Sequence, residues 1–187
     1  MIMTVPTVLT LFRIALLPVV VVLFYLPFDW VRPACATIFA IAGITDWLDG
    51  YLARRLNQSS SFGAFLDPVA DKLLVAVALI MLVADDPRIW VTIPAMIIIG
   101  REIIVSALRE WMAEVGSSSK VSVSMLGKIK TTVQLFAVFF MLYFQPMPLV
   151  GLPTYELGLF LLELAAVLTI VSMVAYLRAA LRSNYAG

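Results

Sequence analysis

Apolar runs of about 20 residues alternate along the chain with short polar or proline-rich segments. A run of that length is long enough for an α-helix that crosses the hydrocarbon core of a bilayer. The pattern predicts six helices, at about 7–26, 31–55, 65–83, 89–113, 125–144 and 155–181. The segments between them are rich in serine, glycine, proline or aspartate, which are typical of loops.

The composition agrees with this pattern. Of 187 residues, 63% are hydrophobic and 13% are charged, and the mean hydropathy is +1.03, whereas soluble domains carry roughly 25% charged residues. We therefore expect an all-α integral membrane protein, a six-transmembrane-helix bundle in which one domain covers residues 1–187. The first apolar run also resembles a secretory signal peptide. Its start is nearly uncharged and the later runs also insert, so we expect it to stay as the first membrane helix.

The chain contains no histidine and a single cysteine, Cys35. This composition excludes an intramolecular disulfide, a cysteine cluster for zinc or iron–sulfur, and a Ser-His-Asp triad. Any acid–base chemistry must therefore use Asp, Glu, Lys, Tyr or water. Cys35 itself is expected to be a small buried residue in a packed helix.

The basic residues are distributed unevenly about the predicted helices. Of the 13 Lys and Arg residues, Arg32 and Arg88 lie on one side of a six-span layout, which leaves eleven on the other. Because cytoplasmic segments carry the excess of basic residues, we expect both termini in the cytoplasm. The net charge of +1 gives no reason to expect a nucleic-acid partner. Four tryptophans near helix ends are expected to anchor the protein at the membrane interfaces: Trp30, Trp47, Trp90 and Trp111.

Four aspartates lie in helices that are otherwise apolar. Asp46 and Asp49 are three residues apart on the second helix, and Asp67 and Asp71 are four apart on the third. Such spacings place each pair on one helical face. A charge at membrane depth costs at least ~2.5 kcal/mol, and Lys72 is the only nearby lysine. Oxygen ligands without His or Cys suit hard cations, so we expect a site for two ions, Mg²⁺ or Mn²⁺.

A structural explanation competes with this one for each feature. The aspartates could be solvated charges at cytoplasmic helix ends, although two pairs on consecutive helices favour the metal site. Gly50 and Ala53 lie on the face of Asp46 and leave either a helix-packing groove or space for a ligand. Arg54, one turn after Gly50, is either a membrane-side anchor or a phosphate ligand.

Together these residues form one extended motif: Asp46-x-x-Asp49-Gly50-x-x-Ala53-Arg54, eight residues, then Gly63-x-x-x-Asp67-x-x-x-Asp71. The motif resembles the signature of the CDP-alcohol phosphotransferase family at all eight fixed positions. The resemblance implies a six-helix membrane fold, usually a homodimer, whose active site opens to the cytoplasmic leaflet.

The resemblance also implies a role for each residue of the motif. Asp46, Asp49 and Asp67 would hold the two metal ions, with Asp71 as a further candidate ligand. Asp71 would be the general base on the acceptor hydroxyl. The donor's cytidine diphosphate would lie against these residues: Asp46, Asp49, Gly50, Ala53, Arg54 and Gly63.

Further stretches are similar to the bacterial members of the family that use glycerol 3-phosphate as acceptor. These stretches are 6–13, 62–72, 101–104 with 109–110, and 127–131. The implied reaction joins CDP-diacylglycerol and sn-glycerol 3-phosphate to give phosphatidylglycerophosphate and CMP. The implied location is the bacterial cytoplasmic (inner) membrane, in contact with membrane lipids.

A cluster of basic residues is consistent with a phosphorylated acceptor. Arg101 and Arg109 are eight residues apart on the fourth helix and so roughly aligned, and Lys128 and Lys130 open the fifth. We expect them, with Arg13, to bind the acceptor phosphate. Topology anchoring and headgroup contacts are the competing explanation, and Glu102 is expected either to pair with a basic neighbour or to be structural.

Two other functions remain open from the sequence. The same chemistry could use another acceptor, namely serine, inositol phosphate or phosphatidylglycerol, although the basic cluster argues against serine. A divalent-cation transporter could also place aspartates in a membrane. Such a site should be reachable from both faces, whereas the aspartates here crowd one side.

Overall fold

A computed structural model describes residues 5–56, 61–114, 125–146 and 151–184, without side-chain positions for residues 5–6, 46–56, 61, 64, 113, 125–126, 128 and 179–184. Within the described ranges the chain forms six α-helices, as predicted. They are α1 Val5–Phe24, α2 Val31–Leu56, α3 Ser61–Asp85, α4 Ile89–Glu114, α5 Met125–Tyr143 and α6 Thr154–Asn184.

The helix ends differ from the predicted ones by a few residues. Helix α3 begins at Ser61, in a serine run that the sequence analysis interpreted as loop, because serine is as typical of a helix start as of a loop. Helix α5 ends at Tyr143, since Phe144 adopts a φ of +56° that a right-handed helix cannot continue.

The six helices close into a ring. Each helix packs against two neighbours, in the order α1, α2, α5, α6, α4 and α3, and α3 also reaches across to α5 and α2. The core between them consists of fully buried aliphatic residues such as Leu79, Ile98 and Leu162. Cys35 is buried in this core, as expected. Because α2, α3 and α5 meet inside the ring, polar residues on them can face a common interior space.

Polar contacts join the helix ends at the side of the ring that carries the α1–α2, α3–α4 and α5–α6 connections. Arg32 Nη2 lies 2.5 Å from Asp85 Oδ1, and its guanidinium covers the rings of Phe24 and Phe144 at 4.1 and 5.2 Å. Gln145 Nε2 donates to the backbone oxygen of Asp29 at 2.9 Å. The two basic residues predicted to share one side of the membrane, Arg32 and Arg88, are therefore at one end of the bundle.

Asp86 is the centre of a second contact at this end. It accepts hydrogen bonds from the Arg88 guanidinium, 2.7 Å away at Nη2, and from the Tyr155 hydroxyl. The Arg88 guanidinium holds the pKa of the Asp86 carboxyl well below its usual range, and the Tyr155 hydroxyl adds to this effect. The start of α6 is thereby tied to the connection between α3 and α4.

The outer surface of the ring is apolar. Large hydrophobic side chains such as Val22, Ile80, Met96 and Phe160 are more than half exposed, which in water would favour aggregation and in a bilayer places them against lipid. Among the described residues, three segments are long and apolar enough to cross a membrane: Thr7–Phe24, Ile89–Met112 and Thr154–Arg178. Helices α2 and α5 carry shorter apolar segments, Val31–Thr45 and Ile129–Tyr143.

Helices α5 and α6 approach each other closely at Gly158. A Cβ atom there would lie 2.6 Å from Met141 Cγ, 2.8 Å from the Met141 amide nitrogen and 2.9 Å from the Ala137 carbonyl oxygen. Two of these atoms belong to the backbone and cannot move aside without separating the helices. A glycine is therefore required at this contact.

We predict that Gly158→Ala lowers the free energy of unfolding by about 1–3 kcal/mol, the usual effect of overpacking. Gly100→Ala is the matched control, because a Cβ at Gly100 has nothing within 4 Å and alanine is the better helix former by roughly 0.5–1 kcal/mol. Thermal unfolding in detergent measures both. Equal midpoints for the two variants would contradict the packing argument.

Candidate active site

Two carboxylates of the motif lie on α3 and contact α1. Thr10 Oγ1 donates a hydrogen bond to Asp67 Oδ1 at 2.6 Å, and Arg13 Nη1 donates to Asp71 Oδ1 at 2.6 Å. Thr10 is fully buried and Arg13 is 2% exposed. Along the sequence, Lys72 is the only lysine near these aspartates. The partner of Asp71 is instead an arginine 58 residues earlier in the chain, which no local spacing reveals.

The other half of the motif lies on the second half of α2. Asp46, Asp49, Gly50, Ala53 and Arg54 are helical, as predicted, but their side chains lie outside the described residues. Among the side chains that are described, no group of three acidic, cysteine or histidine residues is close enough to hold a metal ion. The predicted four-aspartate metal site therefore stays a prediction.

The remaining residue of the motif is Gly63. It is buried near the start of α3, one turn before Asp67. A glycine in that position keeps the helix surface beside the carboxylate free of a side chain. Its predicted role in shaping the donor site is compatible with this location and stays a prediction.

A polar cavity of about 310 Å³ opens between α2, α3, α4 and α5. Its charged lining consists of three cationic side chains and two carboxylates: Lys72, Arg101, Arg109, Asp71 and Glu102. Gly43 of α2 and Thr131 of α5 complete its walls. The predicted base and two of the predicted phosphate ligands therefore share one cavity, and its excess of cationic groups favours an anionic ligand.

Two other predicted phosphate ligands lie behind this cavity. Lys130 is 1% exposed, and its Nζ lies 2.5 Å from Glu102 Oε1. Glu102 also accepts from Arg101 Nη1 at 3.2 Å. Arg13 is likewise buried against Asp71 and is not part of the cavity wall. The prediction that Lys130 and Arg13 bind the acceptor directly is not supported, because each is buried against a carboxylate.

Lys128, the last of the predicted phosphate ligands, lies in the first turn of α5, two residues before Lys130. Its side chain lies outside the described residues. Glu102, by contrast, was expected either to pair with a basic neighbour or to be structural, and it pairs with Arg101 of its own helix and with Lys130 of α5. It thereby connects α4 with α5 at the cavity wall.

Two larger clefts are lined almost entirely by apolar groups. One, of about 370 Å³, lies between α3 and α4, and the other, of about 410 Å³, lies between α2 and α5. Cavity size therefore does not identify the reactive site. Charged groups of α3 and α4 meet at the smaller polar cavity.

An apolar helical ring with carboxylates and cations around one cavity is typical of a membrane-bound enzyme that handles phosphate groups. The chain belongs to the CDP-alcohol phosphatidyltransferase family, whose sequence profile matches residues 3–178. The family predicted from the eight fixed positions of the motif is thereby confirmed.

Curated relatives cover nearly the whole chain. Proteins named CDP-diacylglycerol–glycerol-3-phosphate 3-phosphatidyltransferase from Salmonella choleraesuis and Pectobacterium atrosepticum are each 54% identical over 176 residues, or 94% of both chains. A protein of the same name from Shigella flexneri is 53% identical over the same length. The chain is thus similar along its length to bacterial enzymes of phospholipid synthesis.

Proposed function

We propose that this protein transfers the phosphatidyl group of CDP-diacylglycerol to sn-glycerol 3-phosphate, giving phosphatidylglycerophosphate and CMP. The observation that carries the proposal is the polar cavity in which Asp71 shares a wall with Arg101 and Arg109. The name of the relatives specifies this activity and confirms the transferase predicted from the sequence.

The acceptor phosphate is held by Arg101 and Arg109. Both line the cavity, and an arginine guanidinium can form two parallel hydrogen bonds to a phosphate. Arg101 is held from one side by Glu102 at 3.2 Å, while Arg109 is exposed. Lys128 joins this set by its position near the start of α5. Lys130 and Arg13 are left out of it because each has a carboxylate partner.

Asp71 accepts the proton of the acceptor hydroxyl. Its side chain is 46% exposed at the cavity although its partner Arg13 is buried. The hydroxyl oxygen forms a bond to the lipid-side phosphorus of the donor. The bond from that phosphorus to the bridging oxygen breaks, and CMP leaves with the bonding electron pair. A carboxylate is a weak base. Polarisation of the acceptor hydroxyl must therefore contribute to the proton transfer.

Enzymes of this family generally use divalent metal ions, and the residues of this chain fit that requirement. Asp67 and Asp71 present carboxylate oxygens from one face of α3, and oxygen ligands are those that Mg²⁺ and Mn²⁺ prefer. We assign two ions to Asp46, Asp49, Asp67 and Asp71. The ions would supply charge stabilisation for the attacking and leaving oxygens.

The donor binds beside the aspartates on α2. Gly50 and Ala53 leave room for the cytidine diphosphate, Arg54 contacts its phosphates, and Gly63 of α3 forms the adjoining wall. The presence of Gly63 in the buried first turns of α3 supports this assignment. The acyl chains remain in the bilayer, against the apolar outer surface of the ring.

The protein crosses the bacterial inner membrane six times, with both termini and the active site at the cytoplasmic side. The contacts of Arg32 with Asp85 and of Gln145 with Asp29 support this topology. They show that the α1–α2, α3–α4 and α5–α6 connections lie together at the end of the bundle opposite the cavity. The excess of basic residues at the cavity end supports its cytoplasmic orientation. Two copies form a homodimer, as the family resemblance implies.

The test of the proposed function is an acceptor panel. Purified protein in detergent receives CDP-diacylglycerol with Mg²⁺ or Mn²⁺ and, in turn, glycerol 3-phosphate, serine, inositol phosphate or phosphatidylglycerol, and CMP release is followed. We expect metal-dependent release with glycerol 3-phosphate alone. Asp71→Asn should lose nearly all turnover while it keeps donor binding, because the amide cannot accept the proton.

CMP release with another acceptor would be consistent with the proposed role of the aspartates and would show that the acceptor is not glycerol 3-phosphate. Absence of release with every acceptor, in folded protein, would favour the cation-transporter alternative. Strong residual turnover in Asp71→Asn would remove the role of that residue as the base.

We also predict that Arg109→Gln raises KM for glycerol 3-phosphate roughly 10–100-fold. A hydrogen bond to a charged group contributes about 1.5–3 kcal/mol, and each 1.4 kcal/mol is about tenfold in affinity. KM for CDP-diacylglycerol should change little. Arg88→Gln is the control, since Arg88 is an exposed arginine at the opposite end of the bundle. Equal effects of the two variants would contradict the assignment of Arg109.

A further inference from the structure

Helix α1 contributes two hydrogen bonds to the carboxylates of α3. Its Thr10 and Arg13 are three residues apart, and the aspartates that they contact, Asp67 and Asp71, are four apart. The earlier residue of one helix meets the earlier residue of the other, so the two helices run in the same direction. With a rise of about 1.5 Å per residue, the donors are separated by about 4.5 Å and the acceptors by about 6 Å along the axes. The longer arginine side chain spans the difference.

We propose that Thr10 and Arg13 are positioning residues, which set the orientation of Asp67 and Asp71 for metal binding and for proton transfer. This inference rests on the proposed function, in which Asp67 is a metal ligand and Asp71 is the base. A hydrogen bond to one carboxylate oxygen restricts rotation of the group and so fixes the direction in which the carboxylate faces a cation. Helix α1 therefore acts on the reaction through α3.

The direction of the Thr10 hydroxyl supports this role. Several threonines in the bundle donate to a carbonyl oxygen of their own helix four residues earlier, namely Thr37 to Pro33, Thr131 to Gly127 and Thr169 to Ala165. Thr10 donates to the carboxylate of another helix at 2.6 Å. It is fully buried, so water does not compete for this hydrogen bond.

The burial of Arg13 favours a positioning role for this residue over direct binding of the acceptor. Arg13 is 2% exposed, whereas the side chain of Asp71, which it contacts, is 46% exposed. A phosphate in the cavity therefore meets Asp71 and the arginines of α4 first. The guanidinium of Arg13 contacts Oδ1 of the Asp71 carboxylate, so its buried positive charge is paired with a carboxylate.

The first experiment measures Mn²⁺ binding to substrate-free protein by the loss of the free Mn²⁺ signal in electron paramagnetic resonance. We expect Thr10→Val to weaken Mn²⁺ binding about 10–100-fold, the usual effect of removing a hydrogen bond to a ligand. Thr10→Ser, which keeps the hydroxyl, should bind Mn²⁺ within about threefold of the parent. Thr37→Val is the matched control and should leave binding unchanged, because Thr37 bonds only within α2 at the far end of the bundle.

The Asp67→Asn variant distinguishes a failure of the positioning role from a failure of the proposed metal site. Weak Mn²⁺ binding in Asp67→Asn with parental binding in Thr10→Val would overturn the positioning role and keep the metal site. Parental binding in Asp67→Asn would overturn the ligand assignment of the proposed function itself. Equal weakening in Thr10→Val and Thr10→Ser would show that the hydroxyl is not responsible. Thr10→Ala provides the same comparison should Thr10→Val not fold.

The second experiment uses steady-state kinetics for Arg13→Met and Arg13→Lys. Positioning of Asp71 predicts a fall in kcat of at least tenfold in Arg13→Met with KM for glycerol 3-phosphate within about threefold, and partial recovery of kcat in Arg13→Lys. An increase in KM with kcat unchanged would show that Arg13 binds the acceptor and would overturn its positioning role.

Discussion

Ionic groups inside an apolar ring of helices must be paired across helices, and this constraint governs the architecture around the cavity. Arg13 of α1 is paired with Asp71 of α3 at 2.6 Å, and Lys130 of α5 with Glu102 of α4 at 2.5 Å. Both cationic side chains are 2% exposed. An unpaired charge in such a place costs several kcal/mol, whereas a well-formed pair offsets most of that cost. The helices are therefore held in register at the end that carries the polar cavity.

The two ends of the bundle use polar contacts differently. At the far end, Arg32 contacts Asp85 and two aromatic rings, and Asp86 is shared by Arg88 and Tyr155. These contacts hold together the loops that connect successive helices. At the cavity end, Asp71 and Glu102 are each held by a buried cation and yet line an open space. Among the described residues, charged side chains line a cavity at that end.

The sequence was sufficient for the helices and for the motif. Six apolar runs correspond to six helices, because a 20-residue run has few alternatives in a membrane. Asp67 and Asp71 could be placed on one face of α3 from their spacing alone. Gly158 and its contact with α5 could not be predicted, because a glycine in an apolar run looks the same whether or not another helix approaches it.

The partners of the charged residues were the least predictable part. Arg13 and Lys130 were both expected to bind the acceptor phosphate, and the structure gives each a carboxylate partner on another helix. The partner of Arg13 is 58 residues away and that of Lys130 is 28 residues away. Local spacing identifies neighbours on one helix, whereas these contacts depend on which helices are adjacent in the ring. Arg101 and Arg109, which share α4, line one cavity, and their role as phosphate ligands stays a prediction.

The most direct test of cross-helix charge pairing is a double-mutant cycle on Glu102 and Lys130, measured as the free energy of unfolding in detergent. Our account predicts that Glu102→Gln alone destabilises the protein by about 3–5 kcal/mol, because Lys130 is left buried without its carboxylate partner. Adding Lys130→Met to that variant should recover much of the loss, since the buried charge is then removed as well. Losses that simply add in the double variant would contradict the account, because the two residues would then contribute independently.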